Sequence, residues 1–258
     1  MANLAGIPQP HPPIQPPYPT LAALRAAQQS VQPSEAGGKL LFWPLDGPTL
    51  ETSGLAVMAG PTNPDVRAPY YNAATGVWHP VSQLPISEPR VSSITVHVSE
   101  LEDWEGNWEE THCDFVAVEE GDDGGGAGRI ECCGMERPAG KDASIVVTGT
   151  GGVTEGGRGG GGSGDFVTVH DFVTAVHPWL MGLRSDILGA LGTLNGDDAP
   201  LPAETELMVS CNPLDSLMID NRAEWIRYTK KEPVAASPGF SLRELMALNG
   251  ATHLGLFR

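Results

Sequence analysis

Between residues 165 and 192 the apolar residues recur at the spacing of a helix. They follow one another at i, i+3, i+4 and i+7, which places them on one helical face: Val169, Phe172, Val173 and Val176. Thr168 precedes this face, and its hydroxyl can accept from the free N–H groups of a first helical turn. Asp171, three residues later, partly mimics the second half of a capping box. We therefore predict a helix that begins directly after Thr168.

Pro178 interrupts this pattern, because proline has no N–H to donate and disfavours helical backbone at the preceding residue, His177. The sequence therefore predicts one helix over residues 169–177 and a second over 178–191. The second helix has an apolar stripe of its own, formed by Trp179, Leu183, Ile187, Ala190 and Leu191. Both helices are short, so each needs a surface to pack on.

Alternation of apolar and polar residues over positions 91–98 predicts a strand. Ile94, Val96 and Val98 lie on the side that we expect to face the core. Other apolar runs predict further strands near residues 40–45, 114–119, 129–133, 143–148, 206–211 and 253–257. These strands indicate an antiparallel sheet.

Two more helices are predicted in the C-terminal third of the chain. Asn212 and Pro213 have the form of a helix start, and apolar residues at helical spacing continue to about residue 230. The residues of 241–244 have the form of a capping box, which favours a short helix over 242–249.

The fold class predicted from these elements is α+β, an antiparallel sheet with two to four helices packed on one face. We expect a single domain over residues 39–258, preceded by a disordered proline-rich tail over 1–38. In that tail Thr20 can cap a short helix that docks weakly or not at all. An acidic and glycine-rich insertion is expected at about 99–164, since ten of the sixteen residues of 149–164 are glycine.

The net charge and the composition of the chain argue against several classes of partner and location. The formal net charge of −17 argues against a nucleic-acid backbone or an anionic membrane as the main partner. The sequence holds no apolar run of the length of a transmembrane helix, and its N-terminus has no secretory signal pattern. The cysteines are too few and too irregular for a disulfide framework: Cys113, Cys132, Cys133 and Cys211. We therefore expect a reducing intracellular compartment, the cytoplasm first, with the nucleus left open.

The order of these motifs resembles that of a fungal family. A P-x-V-x-x-I-x-V strand over residues 89–96 is followed by the V-T-V-x-D-x-x-x-A-V-H helix start of 167–177. A predicted helix with Trp225 and Arg227 comes next, and the chain closes on Arg243, Leu245, Gly250, Leu254, Gly255 and Leu256. Over residues 78–98 and 165–258 the chain resembles a widespread family of fungal intracellular proteins known only as a domain of unknown function. The resemblance implies a compact α+β fold and no reaction.

Candidate chemistry near the central helix rests on His170, Asp171 and His177. The two histidines are seven residues apart and share a helical face, so they could bind a metal ion as a pair. The favoured interpretation is that both are exposed or capping histidines. A zinc site is a further reading for His112 and Cys113 together with Cys132 and Cys133, although adjacent cysteines rarely bind one ion. The strand and glycine run at 145–154 lacks the third glycine and the following helix of a nucleotide loop.

The acidic segment 99–123 holds eleven Asp or Glu residues and no Lys or Arg. A solvated rim is the favoured interpretation, and a divalent-cation or basic-partner site is the alternative. Trp104 and Trp108 lie among these carboxylates, so we expect at least one to be exposed. As candidate binding residues they would anchor a basic or aromatic partner. The alternative is that both fold inward as core residues.

The leading functional hypothesis is a non-catalytic intracellular protein-interaction module, with no catalytic residue and no cofactor assigned. The first alternative is an enzyme whose site assembles from scattered residues such as His177, Asp171 and Cys113. The second is a divalent-cation-binding protein that uses residues 99–123. The identity of a protein partner is not predicted.

Overall fold

A computed structural model describes most of the chain, namely residues 18–112, 138, 143–150, 166–194 and 199–231. Its helices are α1 (Leu21–Ala26), α2 (Ser99–His112), α3 (Val169–Gly182), α4 (Arg184–Leu194) and α5 (Arg222–Thr229). Its strands are β1 (Gln32–Pro33), β2 (Leu41–Phe42), β3 (Ala56–Met58), β4 (Arg67–Pro69), β5 (Tyr71–Asn72), β6 (Val77–Trp78), β7 (Ser87–Glu88), β8 (Ser93–Val98), β9 (Ile145–Thr148), β10 (Leu207–Ser210) and β11 (Ser216–Asn221). A π-helical turn (Glu35–Lys39) and a 3-10 turn (Pro80–Gln83) complete the described elements.

The largest sheet has four strands in the order β10-β11-β8-β9. Its two outer pairs are antiparallel, whereas β11 runs parallel to β8, with Leu217 opposite Val98. A second sheet joins β2, β3 and β4 in sequence order, and two short ribbons pair β1 with β7 and β5 with β6. Helices and sheets of this kind confirm the α+β class, with one parallel pair that the sequence did not predict.

Strand β8 confirms the prediction for residues 91–98. Ile94, Val96 and Val98 are buried, and the intervening Thr95 and His97 are not, as the alternation requires. The predictions near 40–45, 143–148 and 206–211 are also confirmed, by β2, β9 and β10. The remaining predicted strands, 114–119, 129–133 and 253–257, and the helix over 242–249 lie outside the described residues.

The predicted helix break at residues 177–178 is wrong. Helix α3 continues through Pro178 to Gly182, and the chain turns at Leu183 before α4 begins. Pro178 is exposed, while the buried face runs across it from Val176 to Leu180. Packing of that face on the core therefore outweighs the local preference of proline.

The predicted start of α3 is confirmed in detail. Thr168 accepts from the N–H of Asp171 at 3.0 Å, and the Asp171 carboxylate accepts from the N–H of Thr168 at 2.9 Å. Both halves of a capping box are therefore present. Such a reciprocal cap holds the first turn of α3 in place, and with it the adjacent His170.

The predicted helix over 213–230 is wrong in its first half, which forms β11. Leu217 and Ile219 are buried, while Met218 between them is 43% exposed, so burial repeats every second residue. The helix begins only at Arg222, and its N-cap is Asn221 rather than Asn212. Pairing on both edges fixes this segment as a strand, because β10 and β8 flank it.

Residues 99–112, predicted to begin a solvated acidic insertion, form α2 and pack on α4 and β11. Leu101, Glu105 and Trp108 are buried, at a spacing that places them along one helical face. Glu102, Asp103 and Glu110 are exposed, so the acidic composition of α2 describes one side of a helix whose other side is packed.

The chain is also packed upstream of the predicted boundary at residue 39. Leu21 and Leu24 of α1 are buried against the core, and Arg25 forms a salt bridge with Asp215. Thr20 caps α1 as expected, accepting from the N–H of Ala23. The expected disorder and weak docking therefore do not apply to residues 18–38; residues 1–17 lie outside the described part.

In the described chain, the helices are too short or too polar to cross a bilayer.

Candidate functional site

A cleft opens beside the first half of α3, with a volume of about 260 Å³. Its lining residues come from the loop between β2 and β3, from β6 and from α3, and they include Pro48, Leu50, Glu51, Trp78, His170 and Pro178. We call this the Trp78 cleft. Three segments far apart in sequence form it, so its shape depends on how each is fixed to the core.

The loop between β2 and β3 is fixed by its own hydrogen bonds and by a close approach at Gly47. The N–H of Gly54 donates to the Asp46 carboxylate at 2.9 Å, and the hydroxyl of Thr52 donates to the carbonyl of Thr49 at 3.1 Å. Gly47 has a φ of +67°, and a Cβ there would lie 2.8 Å from the carbonyl oxygen of Thr52. Glycine is therefore required at this bend.

An aromatic cluster forms the inner wall of the Trp78 cleft. The Trp78 ring centroid lies 4.7 Å from that of His170, 4.6 Å from that of Tyr71 and 5.6 Å from that of Tyr70. Tyr70 is fully buried, whereas Trp78, Tyr71 and His170 are half-buried. Partly exposed aromatic rings supported by a buried one provide a rigid apolar contact surface.

The ionisable groups around the Trp78 cleft differ in their charge at neutral pH. Burial lowers the pKa of His170 below its ordinary value, although Asp171 and Glu51 oppose that shift. Burial also raises the pKa of Tyr70, so its phenol keeps its proton and can donate to Nδ1 of His170 at 3.4 Å. Hydrogen bonds from its own backbone N–H and from Thr49 lower the pKa of Glu51. At neutral pH the cleft thus presents one carboxylate and a neutral imidazole.

His177 lies behind the cleft and is fully buried. Its Nδ1 accepts from Nε1 of Trp43 at 3.1 Å, and its Nε2 lies 2.9 Å from the carbonyl oxygen of Gly47. A carbonyl can only accept, so Nε2 carries the proton and donates, which defines a neutral tautomer. The expectation of an exposed or capping histidine is wrong here, because both ring nitrogens bind the protein interior.

The His170–His177 metal pair is not formed. His170 contacts Tyr70 and Trp78, whereas the ring nitrogens of His177 bind Trp43 and Gly47. In the described part of the chain no three His, Cys, Asp or Glu side chains come together at metal-binding distance. The proposed zinc ligands Cys113, Cys132 and Cys133 lie outside that part, as does the side chain of His112.

Asp171 is engaged in holding α3. Besides the capping bonds, its carboxylate accepts from the hydroxyl of Thr168 at 2.7 Å and from that of Thr150 at 2.6 Å. The enzyme hypothesis placed Asp171 with His177 and Cys113. The described hydrogen bonds direct Asp171 and His177 to separate partners, and Cys113 is outside the described residues.

Neither of the two tryptophans of the acidic segment is exposed, contrary to the expectation that at least one would be. Trp108 is 8% exposed, and Trp104 is half-buried near α4, where a Cβ added to Gly189 would lie 3.4 Å from its ring. Packing of α2 on α4 explains the position of Trp104, whose ring packs against the core. Residues 113–123, the rest of the proposed cation segment, lie outside the described chain.

Sequence reasoning identified His170 as a candidate and did not connect it with Trp78. The signals were present, because Tyr70, Tyr71 and Trp78 are the aromatic residues of an otherwise proline-rich stretch. Their proximity to Glu51 and α3 depends on the tertiary fold.

The chain matches no family model, no curated protein and no solved structure.

Proposed function

We propose that the protein is a non-catalytic intracellular interaction module whose Trp78 cleft binds an extended segment of a partner protein through a Lys or Arg side chain. One observation carries the proposal. The Glu51 carboxylate and the Trp78 ring line the same cleft, and the imidazole beside them is neutral at neutral pH.

A cationic side chain fits this arrangement in two ways. Its charge pairs with the ionised Glu51, and its ammonium or guanidinium group lies over the face of Trp78, a contact of about 0.5–1 kcal/mol at exposed sites. His170 does not repel the cation, because burial keeps the pKa of its ring low. The net charge of −17 adds long-range attraction for a basic partner.

The apolar part of the cleft favours an extended peptide as the carrier of that cation. Pro48, Leu50 and Pro178 line the cleft together with Trp78. Grooves lined by aromatic residues recognise pre-extended, proline-containing segments at a low entropic cost. The expected affinity is modest, since surface ion pairs add little free energy.

The non-catalytic part of the proposal rests on how the polar candidates are used. His177 has both ring nitrogens bonded inside the core, and Asp171 caps α3 and binds Thr150. These groups have structural partners in place of a substrate. The resemblance to the fungal family remains a prediction, and it is compatible with this proposal because no reaction is assigned to that family.

The test uses four blocked peptides of one proline-rich sequence whose central residue is Lys, Arg, norleucine or Glu. Fluorescence anisotropy with the full chain should give the order Arg and Lys, then norleucine, then Glu. Trp78→Ala should weaken the binding of all the peptides. Glu51→Gln should reduce the Lys and Arg peptides towards norleucine, because it removes only the charge. Two matched controls away from the cleft, Tyr228→Ala and Glu88→Gln, should leave all four affinities unchanged.

Equal affinity for the Lys and norleucine peptides would contradict charge recognition. Unchanged binding by Trp78→Ala would place the peptide elsewhere on the surface. A reaction product released from any of the peptides would replace the non-catalytic reading with an enzymatic one.

A further inference from the structure

A second pocket, with a volume of about 360 Å³, is larger than the Trp78 cleft. The π-helical turn, β2, β3, β10 and α5 all contribute to it, with Lys39, Leu41, Met58, Val209, Trp225 and Lys231 among its lining residues. We call it the Lys39 pocket. It shares no lining residue with the Trp78 cleft.

The floor of the Lys39 pocket is apolar and well supported. Met58 and Trp225 belong to a small core cluster with Phe42, and the Trp225 and Phe42 rings meet edge to face at 5.4 Å. Cys211 also lines the pocket, and burial raises the pKa of its thiol to about 12, so it contributes no negative charge. The floor is therefore preformed, neutral and suited to an aliphatic group.

The charge at the Lys39 pocket has the opposite sign to that of the whole protein. Of the described residues that line it, the charged ones are Lys39 and Lys231, and both are exposed. The neighbouring Lys230 is paired with Asp65 at 2.9 Å and does not line the pocket. Hydroxyl groups of Thr62 and other lining residues add hydrogen-bond donors.

We propose that the Lys39 pocket binds a small amphiphilic anion, with an aliphatic chain on the Met58–Trp225 floor and a carboxylate or similar head group between Lys39 and Lys231. The protein's net charge of −17 repels anions in general. Preference for an anion over a cation of the same chain is therefore a signature of this pocket, because non-specific attraction predicts the reverse.

The experiment compares octanoate, octanol and octylammonium by titration calorimetry with the full chain. Octanoate should bind to one site, at least about five-fold more tightly than octanol, because two charged partners hold its head group. Octylammonium should show no saturable binding. Equal affinity of octanoate and octanol, a preference for octylammonium, or the absence of saturable octanoate binding would each overturn the proposal.

Variants locate the octanoate site. Lys39→Met and Lys231→Met should each weaken octanoate binding at least about three-fold and leave octanol unchanged, since only the head-group contact is lost. Lys39→Arg should retain binding. Lys230→Met is the matched control, because it removes the same charge one residue from Lys231 and should have little effect. Equal losses in Lys230→Met and Lys231→Met would reduce the effect to general electrostatics and overturn the site.

A blocking variant tests the apolar floor separately. Thr62 is exposed and lines the pocket, so Thr62→Trp should fill the space without disturbing the core. It should abolish the binding of octanoate and of octanol, while far-UV circular dichroism and the melting temperature stay as in the wild type. Retention of octanoate binding by a folded Thr62→Trp protein would place the ligand elsewhere.

Discussion

Helices α3 and α2 both bury polar side chains, but they satisfy them in different ways. In α3 the fully buried His177 is neutral and binds Trp43 and Gly47 through both ring nitrogens. In α2 the carboxylate of Glu100 accepts from the N–H of Ile219 at 2.8 Å, and its pKa is raised to about 7. The buried contact of α3 is therefore made by a side chain whose two ring nitrogens are both bonded, whereas the contact of α2 with β11 depends on the protonation of Glu100.

Burial and nearby acidic groups together explain why the pKa of Glu100 is raised. Burial is the main reason for the raised pKa of Glu100, and the nearby Asp220 and Asp103 raise it further, against two backbone hydrogen bonds. Asp220 itself has a raised pKa, again mainly through burial. The buried histidine of α3 meets a donor and an acceptor of matching geometry. A buried polar group stabilises a fold when its hydrogen-bond partners are complete, and it makes the fold pH-dependent when burial and nearby like charges disfavour its ionised form.

The largest expected effect comes from removing the buried side chain of His177, which joins α3 to Trp43 and Gly47. His177→Ala should lower the free energy of unfolding by about 3–5 kcal/mol, because it opens a cavity and leaves the Trp43 N–H and the Gly47 carbonyl without their bonds. Urea unfolding followed by circular dichroism at pH 7 measures this change. A loss below about 1 kcal/mol would show that water or a shifted loop replaces the ring.

Trp43→Phe sharpens the same measurement, since it keeps an aromatic ring and removes only the donor. The double variant with His177→Ala should then cost less than the two single changes added together, because the two residues are bonded partners. Simple additivity would mean that the Trp43–His177 hydrogen bond contributes nothing of its own.

The second effect belongs to α2 and has a pH signature. The pKa of Glu100 is raised from 4.5 to about 7 in the folded state, so its contribution to stability is present below 4.5 and is lost as pH rises through 7. Glu100→Gln should therefore stabilise the protein at pH 8 by about 2–3 kcal/mol and change little at pH 4. Chemical denaturation at both pH values measures the difference.

Glu102→Gln serves as the matched control for Glu100, since it removes the same charge from an exposed position of α2. It should shift stability only slightly at either pH, because Glu102 is exposed and its contact with His97, at 3.6 Å, is a surface pair. A stabilisation of similar size by both variants would assign the effect to the net charge of the acidic helix and remove the contrast with α3.

A third, smaller effect concerns the start of α3. Thr168→Ala removes the hydroxyl that accepts from the Asp171 N–H, so it should cost about 1 kcal/mol in unfolding free energy. Thr168→Ser keeps the capping hydroxyl and is the matched control. Loss of the same stability in both variants would show that the methyl group of Thr168, and not its hydroxyl, supports the helix.

The features that could be predicted from sequence are the ones that depend on neighbouring residues. The capping box of Thr168 and Asp171 and the alternation of residues 91–98 are local, and both are present. The helix break at Pro178 and the helix start at Asn212 were also local inferences, and both are wrong. Packing of α3 and the pairing of β11 with strands on both edges override the local preference there.

The candidate sites were less accessible to sequence reasoning than the fold. Glu51, Trp78 and His170 are far apart along the chain, and nothing in their spacing brings them together. At least one of Trp104 and Trp108 was expected to be exposed, because acidic residues surround them. Those residues lie on a helix, and a helix places its apolar positions on one side whatever the charge of the other.

The smallest expected effect concerns the charge of His170, which lies half-exposed near the start of α3. The pKa of His170 is lowered in the folded state, so its contribution to stability is present above about 6.5 and is lost as pH falls through the lower folded value. His170→Phe keeps an aromatic ring against Trp78 and should remove that loss, so wild type and variant should diverge below pH 6.5. The change should be smaller than that of Glu100→Gln, because His170 is half exposed and solvent screens its charge. Parallel stability curves for the two proteins between pH 7 and 5 would mean that Asp171 and Glu51 offset the cost of burying the His170 ring.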